Sequence, residues 1–180
     1  MAKYFFFAID KTLAVGTSNV VLYDSLSCLR QLKTSGHFVG IATGRLQCDA
    51  AAFAEKLQID SFVADGGQSL TWHNQIIEMD GLPREKCLAL FNELDRLQLP
   101  WAVTPENKLV RYSRSPKFES GPFKNYYKTV VCPVEAQTLK HIFKIFAARP
   151  NEGDVEPDWQ GLPKIPYFHN TYLIEPTDKA

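Results

Sequence analysis

Three short apolar runs, each closed by a polar residue and separated by stretches with helical spacing, constrain this chain most. Tyr4-Phe5-Phe6-Phe7-Ala8-Ile9 ends at Asp10, Phe38-Val39-Gly40-Ile41-Ala42 ends at Thr43, and Ser61-Phe62-Val63-Ala64 ends at Asp65. Runs without polar alternation indicate strands covered on both faces, as in a parallel sheet. Between them, residues 20–34 carry Val21, Leu22, Leu26, Leu29 and Leu32 at helical spacing, and Gly36 supplies a C-terminal stop. A second helix is expected over residues 46–57. Strand, helix, strand, helix, strand predicts an α/β fold with a doubly wound sheet. Such sheets carry their sites at the carboxyl ends of the strands, where Asp10, Thr43 and Asp65 fall.

The pattern then changes. Residues 69–72 and 75–78 read as a hairpin around His73-Asn74, and Pro83 opens a helix reaching about residue 97. Strands are expected at 101–104 and 109–113, and a polar loop over 114–124. A strand follows at 126–131, then a helix over 134–147 carrying Leu139, Ile142, Phe143 and Phe146. Residues 165–168 and 172–174 read as closing strands. This second part is an α+β unit, with a boundary near Gly81-Leu82-Pro83. The expected division is 1–81 for the first part, 82–176 for the second, and 177–180 for the start of a return.

Composition narrows the partners. The chain carries 20 basic and 20 acidic side chains, so its net charge is zero. Nothing electrostatic favours nucleic acid or an anionic membrane. Its longest apolar stretches are far too short to span a bilayer. The start shows no signal-peptide pattern. Cys28, Cys48, Cys87 and Cys132 form no C-x-x-C pair. They read as reduced, mostly buried thiols of a cytoplasmic protein. His37, His73, His141 and His169 lack ligand spacing, so no metal cluster is built on them.

Ala8-Ile9-Asp10-Lys11-Thr12-Leu13, Ile41-Ala42-Thr43-Gly44-Arg45, Val63-Ala64-Asp65-Gly66-Gly67 and Tyr172-Leu173-Ile174-Glu175-Pro176-Thr177-Asp178-Lys179 occur in that order. The ordered set resembles the haloacid-dehalogenase-like (HAD) phosphatases, in the form typical of the Cof-like subgroup. It implies a Rossmann-like parallel-sheet core with an inserted α+β cap of the C2 type. The implied activity is magnesium-dependent hydrolysis of small phosphorylated metabolites through an aspartyl-phosphate. The resemblance implies that Asp10 serves as general acid and base and, through its backbone carbonyl, as a Mg2+ ligand. It implies that Thr43 and Lys179 complete the catalytic set, and that Thr12, Thr43, Gly44 and Arg45 contact phosphate.

Two departures set this chain apart. The nucleophile position of the family motif is Ala8, which has no lone pair to attack phosphorus and no side-chain oxygen for metal. After Lys179-Ala180 the family continues with a helix and a strand ending in an acidic motif that supplies further magnesium carboxylates. The expectation is an impaired or inactive hydrolase that binds Mg2+ weakly. A non-catalytic phosphometabolite-binding or regulatory homologue is the other reading. In the family fold, strands that follow the cap flank the first strand. The resemblance therefore implies an open edge at residues 4–9 and a homodimer formed through it.

Simpler roles stand beside these. Asp10 suits a strand-end turn, and Thr43 suits a helix cap. Arg45 suits a solvated first turn, and Lys179 a frayed end.

Overall fold

Alternating runs and spacings become two separate sheets. The computed structural model describes residues 1–119, 126–168 and 170–176. The chain divides into two compact units, the first running from Met1 to Met79 and the second beginning at Asp80.

In the first unit, β1 (Tyr4–Phe7), α1 (Tyr23–Thr34), β2 (Phe38–Ala42), α2 (Gln47–Lys56) and β3 (Phe62–Ala64) follow one another. The hairpin β4 (Ser69–Trp72) and β5 (Gln75–Met79) follows. The sheet order is β1-β2-β3-β4-β5. β1 and β3 both lie parallel to β2, whereas β4 and β5 add antiparallel strands. The hairpin turns at His73 and Asn74, which adopt φ of 48° and 63°. Two left-handed residues in succession give the turn whose twist matches its flanking strands.

The expectation that β1 is covered on both faces is corrected. Phe7, Val39, Ile41 and Phe62 share one sheet face with Leu29 of α1 and Phe53 of α2, forming a single core cluster. On the opposite face Tyr4 and Phe6 are 74% and 57% exposed. Both helices therefore pack on the same side of the sheet.

The first helix also begins later than its spacing suggests, at Tyr23 rather than residue 20. Val21 is drawn into a bridge with Ala14, and the Leu22 N–H donates to the Leu13 carbonyl. Those backbone groups are committed before the helix can start.

The second unit contains α3 (Arg84–Arg96), β6 (Trp101–Thr104), β7 (Val110–Ser113), β8 (Lys128–Val131), β9 (Lys144–Ala148), β10 (Lys164–Tyr167) and β11 (Thr171–Ile174). Its sheet order is β10-β11-β9-β6-β7-β8. Cys87, Leu90, Phe91 and Leu94 recur at helical spacing and are fully buried against Trp101, Val103, Ile145, Ala147 and Ile174. Each such side chain stabilises the unit by about 1.5–3 kcal/mol when removed from water.

The expected helix over 134–147 is not formed. A single 3-10 turn occupies Ala136–Thr138, and β9 begins at Lys144. All five residues of β9 are buried, because it lies between β11 and β6. Pairing on both edges overrides the apolar spacing of Leu139, Ile142, Phe143 and Phe146, which fits a helix face equally well.

The cysteine expectation is corrected as well. None of the four cysteines forms a disulfide, but only Cys87 is buried; Cys28 is exposed, and Cys48 and Cys132 are half-buried. Among the described residues no helix is long and apolar enough to cross a membrane.

Candidate phosphate site at the carboxyl ends of the first strands

β1 and β2 are hydrogen-bonded neighbours pointing the same way, so the residues just past them emerge at one edge of the sheet. Ala8 and Asp10 follow β1, and Thr43, Gly44 and Arg45 follow β2.

The segment after β1 folds into a tight hairpin. The N–H groups of Thr12, Leu13 and Ala14 all donate to the Ile9 carbonyl, at 3.3, 3.0 and 2.9 Å. The Lys11 N–H donates to Gly16 O at 2.8 Å, and the Val15 N–H to Val20 O at 3.0 Å. Lys11 adopts φ of 61° to make this turn. That is the left-handed region, open to glycine at no steric cost. Thr12 is exposed on this hairpin and Ala8 is exposed at its root.

Thr43 is 8% exposed. Its Oγ1 accepts the Arg45 backbone N–H at 3.2 Å, and its carbonyl accepts the Gly66 N–H at 3.2 Å. Thr43 therefore closes its own turn, and it does not cap α2. That helix carries Leu46 at its N-cap, with no cap hydrogen bond from the Leu46 side chain. The cap comes from Asp65 beyond β3, whose Oδ2 accepts the Gln47 N–H at 3.0 Å.

Arg45 is 6% exposed, not solvated. Its Nη2 donates to Asp10 Oδ1 at 2.6 Å and to Ser18 O at 2.9 Å. Its Nη1 donates to Asn19 Oδ1 at 2.6 Å and to Asp49 Oδ2 at 3.3 Å. Its Nε lies 3.3 and 3.4 Å from the two Asp10 oxygens. The guanidinium carbon sits 5.4 Å from the centroid of the Phe53 ring. Each of the five guanidinium N–H groups thus has an acceptor within this unit.

The structure brings Asp10, Thr43, Gly44 and Arg45 together, with Thr12 on the adjoining hairpin. Lys179 lies outside the described residues. Sequence reasoning missed Ser18, Asn19 and Asp49. Asp49 could have been read as the i+4 partner of Arg45 on a helix. Ser18 and Asn19 give no local signal.

Cys48 lies next to Asp49, and its thiol is not an activated nucleophile. Burial, helped by the negative charges of Asp49 and Asp65, pushes its thiol up to about 11. A thiol held protonated at neutral pH attacks poorly.

The described residues at these strand ends do not fit a magnesium ion. A hard cation of this size wants near-octahedral oxygen ligands that include carboxylates. Ala8 offers no side-chain oxygen, and the Asp10 carboxylate is paired with the Arg45 cation. Among the described residues no group of three His, Cys, Asp or Glu side chains is disposed to hold a metal.

Comparison with known proteins bears on the fold and the family. A Bacillus subtilis (strain 168) protein named "Putative phosphatase YkrA" is 29% identical over 108 residues, which cover 60% of this chain and 42% of that protein's length. A hypothetical protein of Geobacillus kaustophilus HTA426 superposes with a TM-score of 0.77 at 22% identity, over 98% of this chain and 70% of its own. BT1666 of Bacteroides thetaiotaomicron, described among phosphatases of the HAD enzyme superfamily, gives 0.74 at 17% identity, over 100% and 69%. Both superpositions establish a shared α/β fold. The sequence model for haloacid dehalogenase-like hydrolases matches residues 5–165, nearly the whole chain. This chain belongs to the haloacid dehalogenase-like hydrolase family.

Proposed function

We propose that this chain recognises small phosphorylated metabolites at the carboxyl ends of β1 and β2, and that it does not hydrolyse them. The observation that carries this reading is the residue set at those two strand ends: Asp10 and Thr43 stand in place while Ala8 occupies the attacking position. The lineage chemistry is phosphomonoester hydrolysis, in which a carboxylate attacks phosphorus and splits one displacement into two. Alanine cannot take that part, and the half-buried Cys48 thiol stays protonated.

The remaining groups suit binding. Gly44 opens the turn that leads into α2, where no side chain bars the approach of a phosphate to the backbone. Thr12 and Thr43 add hydroxyls. Lys179 belongs to the same proposed set through its motif position. Asp10, the general acid and base of the lineage, has no nucleophile to serve here. Among the described residues no donor set for magnesium stands at these strand ends. The reading is of a cytoplasmic, phosphometabolite-binding homologue of a hydrolase.

The test is a paired measurement on pure protein cleared of host phosphatase. Hydrolysis of p-nitrophenyl phosphate with magnesium is expected at background, because loss of a covalent nucleophile removes about 10⁴-fold or more of the rate. Calorimetric titration with inorganic phosphate is expected to show saturable binding. Turnover of about 1 per second, within the ordinary enzyme range, would overturn the first half. Absence of saturable phosphate binding would overturn the second.

A further inference from the structure

The Arg45 fork ties together segments that are distant in sequence. Asp10, Ser18 and Asn19 belong to the hairpin after β1, and Asp49 and Phe53 belong to α2. Leu13 and Ala14 anchor the base of the hairpin in the core of the unit, with Val21 packed against it. Its bonds include Lys11 to Gly16, Val15 to Val20 and Leu22 to Leu13, and the exposed remainder has few other anchors. Thr12, Val15, Gly16, Thr17, Asn19 and Val20 are all exposed. A loop with so much exposed backbone opens easily unless something holds it.

We propose that Arg45 is a positioning residue of the phosphate site: it clasps the 10–21 hairpin and the Asp10 carboxylate against α2 and does not itself ligate the phosphate. This rests on the phosphate-site reading above and assigns Arg45 a different part in it. Three observations carry it. Each guanidinium N–H already has an acceptor, so a phosphate could gain Arg45 only by breaking bonds to Asp10, Asn19 or Ser18. The side chain is buried and sandwiched against Phe53, which fixes the plane of the fork. The acceptors are two carboxylates, an amide oxygen and a backbone carbonyl, each in its own direction. Only a planar group with five fixed donors matches that set; a lysine ammonium has three donors on a flexible stem.

Two independent readouts test it. The first is amide hydrogen exchange on the complete chain carrying Arg45→Lys, which keeps the charge and removes the fork. The Lys11, Val15 and Leu22 amides should exchange at least 10-fold faster, while the Thr43 amide, bonded to Val63 O at 3.0 Å, should keep its protection. Should that variant fail to fold, Asn19→Ala removes one clasp point and leaves the Arg45–Asp10 and Arg45–Asp49 pairs in place. The same three amides should then exchange several-fold faster. Unchanged exchange in the variant that folds would overturn the proposal.

The second readout uses the unaltered protein. On titration with inorganic phosphate, the Arg45 Nε–Hε resonance should stay fixed while the Thr43 and Gly44 amides shift. Movement of the Arg45 resonance in step with those amides would make it a direct ligand and overturn the proposal. If no resonance moves, phosphate recognition itself fails, and the exchange result alone decides whether Arg45 is the clasp.

Discussion

The Asp65 carboxylate accepts the Gln47 backbone N–H at 3.0 Å, so the residue closing β3 caps the helix that follows β2. Asp65 also donates its own N–H to the Arg45 carbonyl at 2.8 Å. Both bonds fasten the turn that carries Thr43 and Gly44. Asp65→Ala removes the cap and is expected to cost about 1–2 kcal/mol, the usual range for a lost helix cap. Asp65→Asn keeps an acceptor oxygen and should recover most of that. Urea unfolding of the three proteins checks this; equal midpoints would show that α2 does not depend on the cap.

Ala8→Asp restores the attacking group but not the rest of the site. Hydrolysis of p-nitrophenyl phosphate with magnesium should rise above background and stay well below about 1 per second, the low end of ordinary turnover. A hard cation short of carboxylate ligands binds weakly. Turnover at the level of an ordinary phosphatase would show that this donor set suffices.

Lys11 adopts φ of 61° on an exposed turn. A side chain in that region costs roughly 1–2 kcal/mol. Glycine relieves the cost but loses about 0.4–1 kcal/mol through the freer unfolded chain. Lys11→Gly should therefore stabilise the protein by up to about 1 kcal/mol. Thermal unfolding reads this out, and a lower midpoint would mean that the lysine side chain contributes something the turn geometry does not reveal.

Asp60 makes stability sensitive to acid. Its Oδ2 lies 2.9 Å from His73 Nδ1, and its Oδ1 accepts the Ser61 hydroxyl at 2.8 Å. The His73 hydrogen bond first, and the Ser61 bond second, hold its carboxyl below the usual range. A carboxyl lowered in the folded state contributes stability above its unfolded pKa of about 3.9, and loses it as pH falls through the folded value. Wild type should exceed Asp60→Asn in urea stability at pH 7, and the gap should close as pH falls from about 3.9 through the lower folded value. A gap that persists undiminished below that value would remove the ionised carboxylate from the explanation.

The exposed face of β1 predicts self-association. Tyr4 and Phe6 are largely exposed, their rings meet Phe38 at 5.6 Å, and β1 pairs with β2 alone among the described strands. An apolar edge strand of this kind templates pairing with another chain. Burying one Phe contributes about 1.5–3 kcal/mol. Light scattering over a concentration series should show a monomer–dimer equilibrium that Phe6→Lys abolishes. A clean monomer at high concentration would count against the homodimer.

The amino-acid sequence determined the βαβαβ order and the ends of β2 and β3, whereas β1 stops at Phe7, before Ile9. An unbroken apolar run closed by Asp10, Thr43 or Asp65 is a local signal that needs no partner to be read. The His73-Asn74 turn and the helix opened by Pro83 were legible for the same reason.

Tertiary structure decided the rest. Residues 144–148 became a strand, not the end of a helix, because β6 and β11 offered hydrogen bonds on both edges, and those partners lie 40 to 46 and 23 to 29 residues away in register. Tyr4 and Phe6 remained exposed because α1 and α2 chose the same sheet face, which no periodicity within β1 records. Arg45 reads as a first-turn cation in sequence. Its burial and its bonds to Ser18 and Asn19 exist only because the strand ends bring the hairpin back across 26 and 27 residues of chain. Local spacing fixes which groups a segment offers; long-range pairing fixes which of them are used.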